Sequence, residues 1–210
     1  MAEHPGQPEQ PQIILITPPE IDPARFPDRL SRVLDAQPVA CLRLALATRD
    51  ESALSRAADA CREVAHARDI AIVIDSHILL AGRLGLDGVH LADGARQVRA
   101  ARKELGAEAI VGAFCGTSRH DGINAGEAGA DYIAFGPVGS SALGSGARAG
   151  REIFEWWSEM IELPVVAEGA LEPDLIRDLA PVTDFFAIGP EIWHAESPEA
   201  ELGRLIAAMS

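Results

Sequence analysis

The sequence predicts an α/β fold, a single-domain (β/α)8 barrel of the TIM type, and three observations carry that prediction. Eight short apolar runs alternate with helix-patterned segments along 210 residues. Helical connections imply parallel pairing, and eight such units close a sheet on itself. A phrase recurs at three helix-to-strand joints, where Asp87, Asp131 and Asp184 each stand just ahead of an apolar run. No Gly-x-Gly-x-x-Gly turn follows the first run, where the competing doubly wound open sheet would place its dinucleotide turn.

Each element has its own signal. Residues 1–12 have neither a basic start nor an apolar core, so they are expected to be a disordered lead-in rather than a signal peptide, with the barrel over 13–210. Strand one, 13–17, is apolar and stops at Pro18-Pro19. A helix over 25–35 follows, with Asp22 as its cap and Pro23 in its first turn. Strand two is 39–46, and the alanine-rich helix 49–68 opens on Asp50 and Glu51. Strand three, 70–74, leads to a helix over 77–84 that Gly85 ends. Strands four and five are 88–91 and 109–113, with a helix over 95–105 between them. A polar loop over 115–120 precedes a helix at 123–128, strand six at 131–135 and a glycine-rich loop. The remaining elements are a helix at 152–161, strand seven at 164–167, a helix at 173–179, strand eight at 185–188 and a closing helix at 198–209.

Composition narrows the function. A formal charge of −14 disfavours nucleic acid and anionic membranes as partners. No apolar stretch approaches the roughly 20 residues that span a bilayer. Cys41, Cys61 and Cys115 are widely spaced and form no CxxC pair, which suggests neither disulfides nor structural zinc and points to a cytoplasmic protein. The cations are 17 arginines and one lysine, Lys103, so amine chemistry has a single candidate, in a helical run that reads as solvated.

In such a barrel, chemistry gathers where strands run out into the following loops. The candidates are therefore Thr17, Arg43 to Ala45, Asp75, Ser76, His90, Asp93, Phe114, Cys115, Gly136 to Ser141, Glu168, Gly169 and Gly189. Glycine and serine at 136–146 offer N–H and hydroxyl donors without bulk, which suits phosphate oxygens, although the same composition also suits a plain surface loop. His90, inside an apolar strand, reads as a core histidine or a base. Arg119 and His120 lie in the loop after strand five, near the expected mouth, with Arg119 a candidate cation for an anionic substrate. Trp156-Trp157 reads as packing, with one ring available to a contact in a homo-oligomer.

Three stretches carry a resemblance: Asp87-Gly-Val-His-Leu, Gly129-Ala-Asp-Tyr-Ile-Ala-Phe-Gly-Pro-Val and Leu163-Pro-Val-Val-Ala-Glu-Gly-Ala-Leu. In order and spacing the chain after Ile13 resembles the thiamine phosphate synthase and thiazole tautomerase superfamily of TIM barrels. The resemblance implies a synthase that uses Mg²⁺ to join a hydroxymethylpyrimidine diphosphate to a thiazole phosphate with release of pyrophosphate. It equally allows a tautomerase-like isomerase, in which Glu168, His90 or His120 moves a proton, or a barrel that binds a phosphorylated heterocycle without turnover.

The family's site residues transfer only in part. Its Gln-Leu-Arg-Glu-Lys is here Cys41-Leu-Arg-Leu-Ala, which keeps Arg43 alone. Its Asn-Asp falls on Asp75-Ser76, and its Gly-Gln-x-Asp on Ala92-Asp-Gly-Ala, so Asp75 and Asp93 are the candidate Mg²⁺ ligands, or else capping aspartates. Its Thr-x-Thr-Lys becomes Ser141-Ala-Leu-Gly, and its Ile-Gly-Gly becomes Glu168-Gly169-Ala170. Cys115 stands at a serine position, as a nucleophile or a small polar filler. The implied phosphate pocket is lined by Ser140, Ser141, Gly169 and Gly189. Glu168 conflicts with it: a carboxylate a few ångströms from a phosphate costs on the order of 1–4 kcal/mol, so either Glu168 points away or the ligand there is not a phosphate.

Overall fold

Side chains on the two faces of the sheet enter different apolar clusters. Ile13, Leu15, Leu42, Leu44, Ile72 and Ile74 pack in the layer shared with the helices, whereas Ile14, Tyr132, Ala134, Val166 and Ala187 form a second cluster. A sheet apolar on both faces needs helices on one side and closure on the other. The computed structural model, which describes residues 10–210, has that arrangement. The expected lead-in lies outside the described residues as far as residue 9.

The strands are β1 (Gln12–Ile16), β2 (Cys41–Leu44), β3 (Ala71–Asp75), β4 (Gly88–Leu91), β5 (Ile110–Phe114), β6 (Tyr132–Phe135), β7 (Val165–Glu168) and β8 (Phe185–Ile188). Each runs parallel to the next, and β8 returns to β1 with Ile14 opposite Ala187, closing the barrel. Around it lie α1 (Phe26–Ala36), α2 (Glu51–His66), α3 (Ile78–Leu84), α4 (Val98–Leu105), α5 (Arg119–Glu127), α6 (Arg151–Met160), α7 (Pro173–Leu179), α8 (Pro190–Trp193) and α9 (Pro198–Ile206). No described helix is long and apolar enough to cross a membrane.

Local chemistry explains where the elements depart from expectation. Asp22 does not cap α1; its carboxylate accepts from the Ala24 N–H at 2.9 Å, shaping a turn before the helix starts at Phe26. Asp50 does cap α2, through the Ala53 N–H. The polar loop expected over 115–120 ends early, because the Ser118 hydroxyl accepts from Asp121 N–H at 3.1 Å and starts α5 at Arg119. Trp157 is buried edge-on to Phe135, while Trp156 packs on Trp157 and lies beneath the Arg119 guanidinium.

The recurring aspartates turn out to be clasps. Asp87 accepts from the Ile72 N–H at 2.7 Å, Asp131 from Val111 at 2.7 Å and Asp184 from Val165 at 2.8 Å, each on the preceding strand. The backbone N–H of each aspartate in turn donates to the carbonyl of that same partner residue. A carboxylate thus ties the entry of one strand to its neighbour at the end opposite the mouth. Charged hydrogen bonds of this kind contribute about 1.5–3 kcal/mol. Asp184→Ala is therefore expected to lower stability by about 1–2 kcal/mol after solvent compensation at this exposed site, read as a lower urea midpoint with unchanged m-value.

Candidate active site

Strand register brings a polar set into the barrel. Arg43 pairs across to Ile16 and Val73, Asp75 to His90, His90 to Gly112, Gly112 to Tyr132, and Glu168 to Ala187. Gly112 supplies the room: a Cβ there would sit 2.0 Å from the Tyr132 ring, which lies across it. Arg43, His90 and Glu168 are all buried, where aliphatic side chains ordinarily fill a barrel of this kind.

Arg43 is held on two sides. Its Nε and Nη2 donate to the two oxygens of Asp75 at 2.6 and 3.1 Å, and its Nη1 donates to Glu168 Oε2 at 2.5 Å. Burial works against the charged guanidinium, but Glu168 and Asp75 together outweigh it and drive the pKa further up, so it stays charged. Burial pushes the Glu168 carboxyl above its ordinary value, with Asp75 and Glu191 adding to the rise and Arg43 opposing it. Glu168 is 2% exposed, and its second oxygen, Oε1, is buried with no hydrogen-bond partner among the described residues. An unpaired buried acceptor costs about 1–3 kcal/mol.

These residues line a cavity of about 600 Å³ at the strand exits, with Ser140, Ser141, Gly169 and Glu191 and an apolar wall of Ile16, Ala45, Leu143 and Ala187. Gly169 has φ of 92°, and a Cβ there would meet Pro137 at 2.8 Å, so the loop requires glycine. Gly189, expected in the phosphate pocket, does not line this cavity, and Glu191 takes its N–H: Oε2 accepts from Gly189 at 2.8 Å and Oε1 from Leu171 at 3.1 Å. The cavity wall therefore carries one cation, Arg43, against the carboxyl groups of Asp75, Glu168 and Glu191. Glu168 points in, not away.

The other sequence candidates sit elsewhere. His90 is buried and does not line the cavity, with Nδ1 2.9 Å from the Tyr132 hydroxyl. Burial and Arg43 hold its pKa well below the ordinary value, so it is neutral. Cys115 and Asp93 line a separate groove with Phe114 and Ser118. Arg119 covers Trp156 and donates to the Glu152 carbonyl, and His120 lies 3.1 Å from the Asn124 amide within α5; neither lines the Arg43 cavity. Sequence reading missed Glu191 and Tyr132. The signal for Glu191 was present, a carboxylate two residues beyond a strand-exit glycine.

A shared Mg²⁺ site does not fit this arrangement. Both oxygens of Asp75 are engaged by Arg43, and Asp93, in the other groove, accepts from Gln97 at 3.0 Å. Among the described residues no cluster of three or more His, Cys, Asp or Glu could hold a metal ion.

Comparison with known proteins adds ancestry to this geometry. The family model described as thiamine monophosphate synthase matches residues 13–187. The chain belongs to that family. Among relatives of the thiamine monophosphate synthase family, the thiamine-phosphate synthase of Rhodospirillum centenum is 40% identical, the match covering 90% of this chain and 93% of the relative. That of Erythrobacter litoralis is 37% identical, covering 90% and 91%. A solved thiamine phosphate pyrophosphorylase from Pyrococcus furiosus superposes with a TM-score of 0.80 over 94% of this chain and 96% of its own, at 20% identity, which establishes the shared barrel. Against the family pattern that the sequence resembles, the mouth of this member has kept Arg43, lost the lysines and gained Glu168.

The three cysteines are free, and burial pushes the Cys41, Cys61 and Cys115 thiols up to about 12. Since the thiolate is the nucleophile, a thiol reagent at pH 8 should modify the native protein slowly and all three sites after denaturation. Mass spectrometry of alkylated protein reads the difference. For the interior, Gly112→Ala should destabilise by about 1–3 kcal/mol through its collision with Tyr132, measured by chemical denaturation.

Proposed function

We propose that this chain is a cytoplasmic transferase that joins a hydroxymethylpyrimidine diphosphate to a thiazole phosphate, releasing pyrophosphate. The single observation that carries this reading is the family match over residues 13–187, together with two relatives named thiamine-phosphate synthase that align with about nine-tenths of the chain. The mouth cavity supports it, since its wall carries Arg43, a cation of the kind a departing anion needs.

The reaction is an alkyl transfer. The bond between the pyrimidine's exocyclic methylene and its diphosphate oxygen breaks, its electron pair leaving with pyrophosphate, and the thiazole nitrogen's lone pair forms the new C–N bond. The positive charge ends on the thiazolium ring, and no proton needs to move. This fits a neutral His90 that does not line the cavity. Arg43 would stabilise the charge that develops on the leaving oxygen, and Ile16, Ala45, Leu143 and Ala187 would keep water from the electrophilic carbon. A divalent cation would arrive with the diphosphate, and no step is assigned to it.

Purified protein given both precursors should form the coupled product with one pyrophosphate per turnover, quantified by coupled pyrophosphate detection. Arg43→Gln should lower kcat by about 10²–10³-fold, the range for removing one preorganised donor from a developing anion. No product from the wild-type protein across a Mg²⁺ titration would overturn the assignment.

A further inference from the structure

Resting on the function proposed above, we infer that Glu168 reads the pyrimidine: its free carboxylate oxygen accepts a hydrogen bond from the amino group of an amino-substituted pyrimidine. Several independent observations converge on this residue. Glu168 is 2% exposed, lies in the wall of the 600 Å³ cavity, and has one oxygen fixed by Arg43 at 2.5 Å and the other without a donor. Of the buried side-chain polar atoms without a partner among the described residues, those of Arg62, His90, Asp93 and Glu168, only the Glu168 oxygen belongs to this cavity wall. A buried acceptor of this kind selects a ligand that brings a donor.

Charge points the same way. Arg43 already gives three of its five N–H donors to Asp75 and Glu168, and the Gly189 N–H is spent on Glu191, so Glu168 Oε1 is left as an acceptor that a phosphate cannot satisfy. A flat ring that is neutral or cationic and carries an N–H satisfies the carboxylate and packs on Ile16, Leu143 and Ala187. The diphosphate of that ligand then has the two remaining Arg43 N–H groups and the Ser140 and Ser141 hydroxyls of the same cavity. Of the two substrates in the proposed reaction, the amino-bearing pyrimidine has the required donor. At the corresponding place the family phrase that this sequence resembles has no acid, so this readout is particular to chains with a glutamate at the β7 exit.

Two phosphate-free probes separate this assignment from the reaction itself: 4-amino-2,5-dimethylpyrimidine and its deamino counterpart, 2,5-dimethylpyrimidine, titrated into full-length protein at pH 7.5 by calorimetry. The wild type should bind the amino probe at least tenfold more tightly. In Glu168→Leu, which removes the acceptor, the two affinities should fall within about twofold of each other, the tenfold preference corresponding to about 1.4 kcal/mol. Equal affinities in the wild type, no binding of the amino probe, or a preference that persists in folded Glu168→Leu would each overturn the inference. Should the variant not fold, the wild-type comparison of the two probes decides alone. Amino preference lost with Glu168 but no product from the phosphorylated precursors would refute the proposed reaction and leave this assignment standing. Product formation without amino preference would do the reverse.

Discussion

The contact on which the rest of the mouth depends is the buried guanidinium of Arg43, spanned between Asp75 and Glu168. A charge taken out of water must be paired, or it is expelled or neutralised. Arg43 cannot be neutralised, so the two carboxylates are what let it sit inside the barrel. They also fix its plane, because Asp75 takes two of its donors and Glu168 a third. The pairing makes specificity rather than stability the sensible reading of this cluster, since buried ion pairs commonly return little net folding energy.

That arrangement recasts the departures from the family pattern as a set. Where the resemblance leads one to expect lysines and open backbone amides for phosphate, this chain has Ala45, Gly144 and a Gly189 amide already bonded to Glu191. With the lysines gone and Glu168 added at the β7 exit, Arg43 is the cation that the cavity wall still carries. The uncharged Ser140 and Ser141 are then the polar groups of the wall least opposed to an anion.

The scaffold was largely legible in residue order, for particular reasons. Strands buried on both faces must be continuously apolar, so runs such as IILI and FFAI announced themselves. Asp87, Asp131 and Asp184 marked strand entries because each carboxylate caps a neighbouring strand's N–H, a role that demands an acceptor at that one place. Misjudgements fell at helix starts and at the ends of strand two, expected over 39–46 and found over Cys41–Leu44. Asp22 and Ser118 are both good caps by composition, and only the turn each one adopts decides whether a helix begins there.

The sequence by itself determined the barrel, its family and the list of strand-exit residues, because periodicity and turn chemistry are local and survive without coordinates. The tertiary structure decided which of those residues share a cavity. Arg43, Asp75 and Glu168 come from three strands and meet across the ring through register and closure, while Cys115, Asp93, Arg119 and His120, equally near strand ends in sequence, lie away from that cavity. The physical reason is that a strand's period of two chooses inside or outside for each residue, but the partner it meets inside depends on the stagger of every other strand, which no local pattern encodes.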